Sequence, residues 1–281
     1  MQIMEMARGC NQSFEELPSI DQQLTFSKLS IELIRVLGIE QLNRDILKTL
    51  ELYSDQNGFN NAAALLADTN SFKGIDIIRF GNSINEIMER KSLENISILL
   101  QMEQCIQMFH QYYRYEKIEG MDRKSVDKIP ERDFREAVAN ALVHRMWDIP
   151  ASIKISMYSD KIEISSPGGL PAGISEDEYL NGQISLLRNP IIGNVFFRLK
   201  YIEKFGTGIM RINYAYKDAL IKPDYHIFSN SIQIILPVIK SDYKLNETEK
   251  KLLNILKING SMTRNEIEKA AEIDKSKAIR G

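Results

Sequence analysis

Arg135-Glu136-Ala137-Val138-Ala139-Asn140-Ala141-Leu142-Val143-His144-Arg145, entered through Ile129-Pro130, predicts a helix running from Arg132 to about Arg145. Proline suits a first helical turn, and the apolar residues recur at three and four. Phe134, Val138, Ala141 and Leu142 form one face to bury. Glu136, Asn140 and His144, spaced i, i+4, i+8, stack along another. Asparagine is a weak helix former that competes for its own backbone, so its place in the interior invites a reason. An amide oxygen is a hard ligand of the kind Mg²⁺ accepts, and a carboxylate one turn away can orient or deprotonate a water near a phosphate. The same spacing also suits a solvated polar stripe in which Glu136 pairs with Arg132.

Downstream, Ser152 to Tyr158 and Lys161 to Ser165 alternate polar and apolar residues and read as a hairpin turning at Ser159-Asp160. A Gly/Pro cluster follows at Ser166-Pro167-Gly168-Gly169-Leu170-Pro171, then a polar, lid-like stretch, a helix from Pro190, and Lys204-Phe205-Gly206-Thr207-Gly208-Ile209. Gly206-Thr207-Gly208 reads either as a turn whose N–H groups approach a phosphate at a helix start or as a plain helix entry. Ile232 to Pro237 is a late strand before a polar linker at Lys240-Ser241-Asp242. Upstream, helices are expected over Thr25 to Leu37, Glu40 to Tyr53, Ala62 to Leu66 and Ile96 to Phe109, with strands at Gly74 to Phe80 and Tyr112 to Ile118. Trp147 reads as core rather than as a stacking platform.

The chain has 281 residues, 43% hydrophobic and 26% charged, which excludes disordered and collagenous classes. Its formal charge is −2, yet Lys244 to Arg280 holds nine basic and six acidic residues, so that tail is +3 and the remainder −5. Cys10 and Cys105 are far apart with no C-x-x-C spacing, which points to a reducing cytosol rather than a disulfide framework or zinc site. No apolar run reaches the roughly 20 residues that span a bilayer, and no secretory leader opens the chain, so a cytoplasmic protein without membrane partners is expected. G-x-x-x-x-G-K-[ST], H-E-x-x-H and G-x-S-x-G are absent, which removes a P-loop helicase from consideration.

The tail has its own grammar. Asn246 caps an expected helix over Glu247 to Lys257, Asn259-Gly260 ends it, and Thr263 opens a second helix through a capping box with Glu266. A third begins at Lys275. This is the layout of a helix-turn-helix, in which Lys275, Ser276, Lys277 and Arg280 would meet double-stranded DNA. A three-helix protein-interaction module has the same layout.

Taken in order, the 135–145 run, Asp160-Lys-Ile-Glu-Ile-Ser-Ser-Pro-Gly-Gly-Leu-Pro171, Arg188-Asn-Pro190 and Phe205-Gly-Thr-Gly-Ile209 resemble the RecG-related, Schlafen AlbA-type transcriptional regulators. The central domain of that family belongs to the GHKL (Bergerat-fold) ATPase superfamily. The resemblance implies an α+β fold: a GHKL α/β sandwich with a truncated winged helix-turn-helix at its carboxy end. It divides the chain into a remnant following an AlbA-like domain (1–24), an α/β region packing on the ATPase-like core (25–129), the GHKL-like domain (130–240) and a partial winged helix (244–281). It implies ATP and Mg²⁺ as cofactors, with Glu136 activating water and Asn140 holding the metal. His144, Gly168, Gly169, Arg188, Gly206, Thr207 and Gly208 would line the nucleotide, a weak ATPase would result, and a homodimer is expected. The Asp that reads adenine in this superfamily is missing, since Ser165-Ser166-Pro167 occupies its region. A buried charged hydrogen bond of that kind is worth about 1.5–3 kcal/mol, or one to two decades of affinity. The alternative is therefore a DNA-binding or scaffold protein whose GHKL-like domain no longer binds nucleotide and serves dimerisation.

Overall fold

The computed structural model describes residues 13–171, 173–182, 186–203, 207–239 and 247–271. The chain forms two compact units, one up to Ile239 and one from Lys240 onward. In the first, a 3₁₀ turn at Phe14–Glu16 precedes α1 (Ser27–Leu37), α2 (Arg44–Thr49), β1 (Tyr53–Ser54), β2 (Gly58–Phe59) and α3 (Asn61–Leu66). Then come β3 (Ile75–Phe80), β4 (Ile87–Leu93), α4 (Ile98–Tyr113), β5 (Arg114–Glu119), β6 (Asp122–Asp127) and α5 (Glu131–His144). The hairpin β7 (Ile153–Met157) and β8 (Lys161–Pro167) leads to α6 (Glu176–Leu180), α7 (Pro190–Arg198), α8 (Gly208–Ala215), β9 (Asp224–Phe228) and β10 (Ser231–Pro237).

Six strands make one mixed sheet in the order β4-β3-β7-β8-β10-β9. Alternation sets its two faces: along β8, Ile162, Ile164 and Ser166 are buried while Lys161, Glu163 and Ser165 stay half-exposed. Ile164 faces Ile155 on β7 and Ile234 on β10, and Ile155 faces Ile77 on β3, so the buried face runs continuously across the sheet. Against it lies the apolar stripe of α4, with Ile98, Met102, Cys105, Phe109 and Tyr113 at helical spacing. Beside α4 lies α5, with Phe109 stacked on Phe134 at 4.7 Å between centroids. Each of these fully buried large side chains contributes about 1.5–3 kcal/mol. Helices on one face of a mixed sheet give the α+β, two-layer sandwich expected from the sequence.

Several expectations change. The helix expected over 40–53 exists only at Arg44–Thr49, because Glu51 turns left-handed at φ 61° and Tyr53 leaves to pair with Phe59. The strands β4, β6 and β9 are additions to the sequence reading. A boundary at 129/130 does not divide the sheet, since β3 pairs in parallel with β7 through Ile75–Ile153 and Ile77–Ile155. The upstream segment is tied in as well: Glu15, buried, accepts the backbone N–H groups of Ile191 at 2.7 Å and Ile192 at 3.0 Å at the start of α7.

In the second unit, α9 spans Glu247–Asn259 and α10 spans Arg264–Ala271. Gly260 takes φ 71° and its N–H closes on Leu256 O at 2.9 Å, the left-handed cap that glycine favours. Glu266 accepts from the Thr263 N–H and hydroxyl at 2.7 and 2.8 Å, which fixes the start of α10. Asn246, the linker at 240–242 and the third expected helix at 275–280 lie outside the described residues.

Candidate functional site

Helix α5 holds the polar stripe beside the sheet. Asn140 Nδ2 donates to Glu136 Oε1 at 3.2 Å, so the amide and carboxylate form one unit rather than two solvated groups. The start of α8 presses against that unit: a Cβ on Gly208 would stand 2.2 Å from Glu136 Oε1 and 3.0 Å from Asn140 Nδ2. Thr207 caps α8 without a side-chain hydrogen bond, and its buried Oγ1 has no hydrogen-bond partner among the described residues. The first turn of α8 thus brings backbone N–H groups next to an amide–carboxylate pair. Burial raises the Glu136 carboxyl above its ordinary value, while the Asn140 bond and the Arg211 and Arg132 guanidiniums pull it back.

His144 continues the stripe one turn on. Burial first, then the Arg188 charge, pushes its imidazole down to about 4, so it is neutral near pH 7. Arg188 Nη2 donates to Gly169 O at 2.7 Å, and Asn189 Nδ2 donates to Val143 O and Arg145 O at 2.7 and 2.8 Å, closing the end of α5. Gly168 takes φ 110°, and a Cβ there would meet Met146 Cγ at 2.7 Å; one on Gly169 would meet Ser229 O at 2.4 Å. The chain's own packing therefore demands both glycines. Trp147 is core, with Arg145 stacked over it at 4.2 Å.

Three cavities share residues of this stripe. A 20 Å³ space lies between Asn140 and His144 on one side and Ile164, Ser166 and Ile234 of the sheet on the other. A 60 Å³ space lies beside Glu136, Asn140, His144 and Gly208. Beyond Glu136 opens a groove of about 880 Å³ lined by Arg132, Arg135, Arg198, Lys200 and Arg211 as well as Glu131 and Glu203. From His144 to Glu136 is eight residues, or about 12 Å of helix.

The structure thus brings together Glu136, Asn140, His144, Thr207 and Gly208. It places Gly168 at the wall of the 20 Å³ space and Arg188 beside His144. Gly206, Lys275, Ser276, Lys277 and Arg280 lie outside the described residues. Sequence reasoning missed Arg211, which is one helical turn from the glycine start of α8 and paired with Glu203 at 2.5 Å. It also missed Tyr179 on α6, which lines both small spaces. Arg211 follows Gly208 by three residues, a spacing that puts it on the same side of α8 as the glycine start; Tyr179 gave no such signal.

Residues 151–236 match the family described as "Putative ATP-dependent DNA helicase recG C-terminal". That range runs from β7 through most of β10 and begins after α5, so Glu136, Asn140 and His144 stand on geometry alone. No curated protein matches the chain. Among solved structures, the DIP2311 protein of Corynebacterium diphtheriae is similar in fold, at 18% identity with a TM-score of 0.69 over 99% of this chain. The chain spans 61% of the length of that protein. Residues 151–236 of this two-layer α+β fold are therefore similar to the RecG C-terminal family, and the rest of the chain is similar to a solved structure in fold alone.

Proposed function

We propose that this chain is a nucleotide-responsive transcriptional regulator, in which a divergent GHKL-type site on α5 binds MgATP and the segment 244–281 contacts duplex DNA. The observation that carries the nucleotide reading is the Glu136–Asn140 pair at 3.2 Å with the glycine start of α8 packed against both. The stripe orders the ligand: the base toward His144 and the sheet, the phosphates past Asn140 and Gly208, the charged tail toward the arginines beyond Glu136.

With Nδ2 given to Glu136, the acceptor of the Asn140 amide is Oδ1, a hard oxygen that fits Mg²⁺. Mg²⁺ is commonly kept by one or two protein oxygens together with phosphates and water, which one amide could supply here. When bound, the ion would neutralise phosphate charge. Glu136, its carboxyl raised by burial, would take the proton of a water, giving at most a slow ATPase.

Calorimetry with MgATP on the full chain and on Asn140→Ala tests this. Heat of binding from the native chain and its loss in the variant are expected; no heat from either rejects the reading.

A second reading has its own observation: the spaces beside Asn140 and His144 measure only 60 and 20 Å³, far below the roughly 300 Å³ of an ordinary ligand pocket. On that reading the domain serves as a dimerisation platform for a cytoplasmic DNA-binding or scaffold protein. Light scattering on the full chain would then give a dimer indifferent to MgATP.

A further inference from the structure

We propose that Tyr179 is the resident occupant of the ring end of this site: α6 seats its phenol where the base of a nucleotide would lie, and the ligand enters only when that ring leaves. The proposal rests on the nucleotide reading above and explains why the spaces beside Asn140 and His144 are so small.

Tyr179 is the one residue of α6 that lines both small spaces, facing Asn140 and His144 of α5 and Ile164 and Ile234 of the sheet. Its hydroxyl lies inside, near the Tyr225 phenol, and burial pushes it up to about 12. Tyr225 in turn donates to Asn213 Oδ1 on α8 at 3.0 Å. The ring therefore reaches from the lid to the inner face of the sheet.

The slot suits a flat, uncharged ring. Ile164 and Ile234 give it apolar walls, and His144 offers a neutral imidazole with one donor and one acceptor. Ser166 spends its hydroxyl proton on Ala141 O at 2.8 Å, and no carboxylate lines this end among the described residues. A purine or another uncharged heteroaromatic with an anionic tail matches that chemistry.

The helix carrying Tyr179 is built to come away. It has five residues and buries none of them fully. Its start is fixed locally, with Glu178 accepting from the Ser175 N–H and hydroxyl at 2.8 and 2.7 Å, so it can move as a unit. Gly173 at φ 87° and Gly182 at φ 62° flank it, and a Cβ on Gly173 would meet nothing within 4 Å. These are backbone positions that side chains rarely occupy and glycine does.

An internal occupant lowers apparent affinity by the fraction of molecules in which the slot is open. The full chain, Tyr179→Ala and Tyr179→Phe are titrated with MgATP by calorimetry, with circular dichroism melts to show that all three fold. Tyr179→Ala should bind about tenfold or more tightly than the native chain, and Tyr179→Phe about as the native chain does. Equal or weaker binding by Tyr179→Ala overturns the proposal, because a ring that stacks on the ligand would be missed on removal. If none of the three binds MgATP, the nucleotide reading falls, and the occupant is judged by the apolar dye 8-anilinonaphthalene-1-sulfonate. Dye fluorescence rising only in Tyr179→Ala supports an opened slot; equal fluorescence in all three overturns it.

Discussion

A methyl group at position 208 would stand 2.2 Å from Glu136 Oε1, so Gly208→Ala forces the carboxylate to swing off Asn140. The clash falls on the end of a flexible side chain, and the fold should survive it. We expect a melting temperature within a few degrees of the native chain and a loss of MgATP heat in the same sample. Retained heat would show that the pair is not the site. Asp133, on the same helix, makes a separate prediction. It is buried, Oδ2 has no hydrogen-bond partner among the described residues, and burial raises its carboxyl from 3.8 to about 7; Arg132 opposes that rise and Glu136 adds to it. A raised folded-state value means that the protonated form is favoured in the fold. Its stabilising contribution is full below pH 3.8 and is lost as pH rises toward 7. Glu15, raised to about 7 mainly by burial against the pull of two backbone N–H bonds, acts with the same sign over 4.5 to 7. Melting temperature should therefore fall by a few degrees between pH 5 and pH 8, and Asp133→Asn should flatten that fall; an unchanged slope would rule Asp133 out as its source.

At the scale of elements, α5 ends where Asn189 takes Val143 O and Arg145 O, two carbonyls that the helix itself leaves open. Asn189 is 2% exposed, so Asn189→Ala strands both acceptors away from water. We expect a loss of about 1–3 kcal/mol in urea unfolding with the denaturant slope unchanged. A loss near zero would mean that water reaches those carbonyls. The legible elements share one property with α5: their pattern repeats often enough to outvote its exceptions. The hairpin β7–β8 and the strand β10 alternate for five to seven residues, and α4 keeps its stripe over sixteen. The elements missed have the opposite character. Strand β4 (Ile-Met-Glu-Arg-Lys-Ser-Leu) lies at the sheet edge with Ile87 and Met88 exposed, and β6 (Asp-Arg-Lys-Ser-Val-Asp) stands in a two-stranded arm, so neither is written with an apolar face. Their strand state comes from pairing partners, Ile75 to Phe80 for β4 and Arg114 to Glu119 for β6, and no local pattern reports a partner. The site divides along the same line. Glu136 and Asn140 were legible as a pair because both lie on one helix, whereas the approach of Tyr179, Arg211 and Gly208 depends on how two separate segments, α6 and α8, fold back onto that helix.

Over the whole molecule, charge is shared unevenly, −5 up to Tyr243 and +3 from Lys244 to Arg280. On the proposed reading the basic tail is the end that meets a polyanion, and the described part of that tail has two helices, α9 and α10. Three cations of the expected contact segment, Lys275, Lys277 and Arg280, can each neutralise a phosphate. Each phosphate contact adds about −0.9 to the slope of log affinity against log salt, so these three supply roughly −3. The full chain should bind duplex DNA with a slope at least that steep, and replacing all three residues with alanine should weaken binding at every sequence and flatten the slope by about 3. The same replacements should leave MgATP heat unchanged, because the stripe proposed for nucleotide, Glu136 to His144, lies in the first unit. Binding that ignores salt, or that survives the triple replacement, would move the tail from DNA contact to protein contact, and the +3 would then be an ordinary solvated surface.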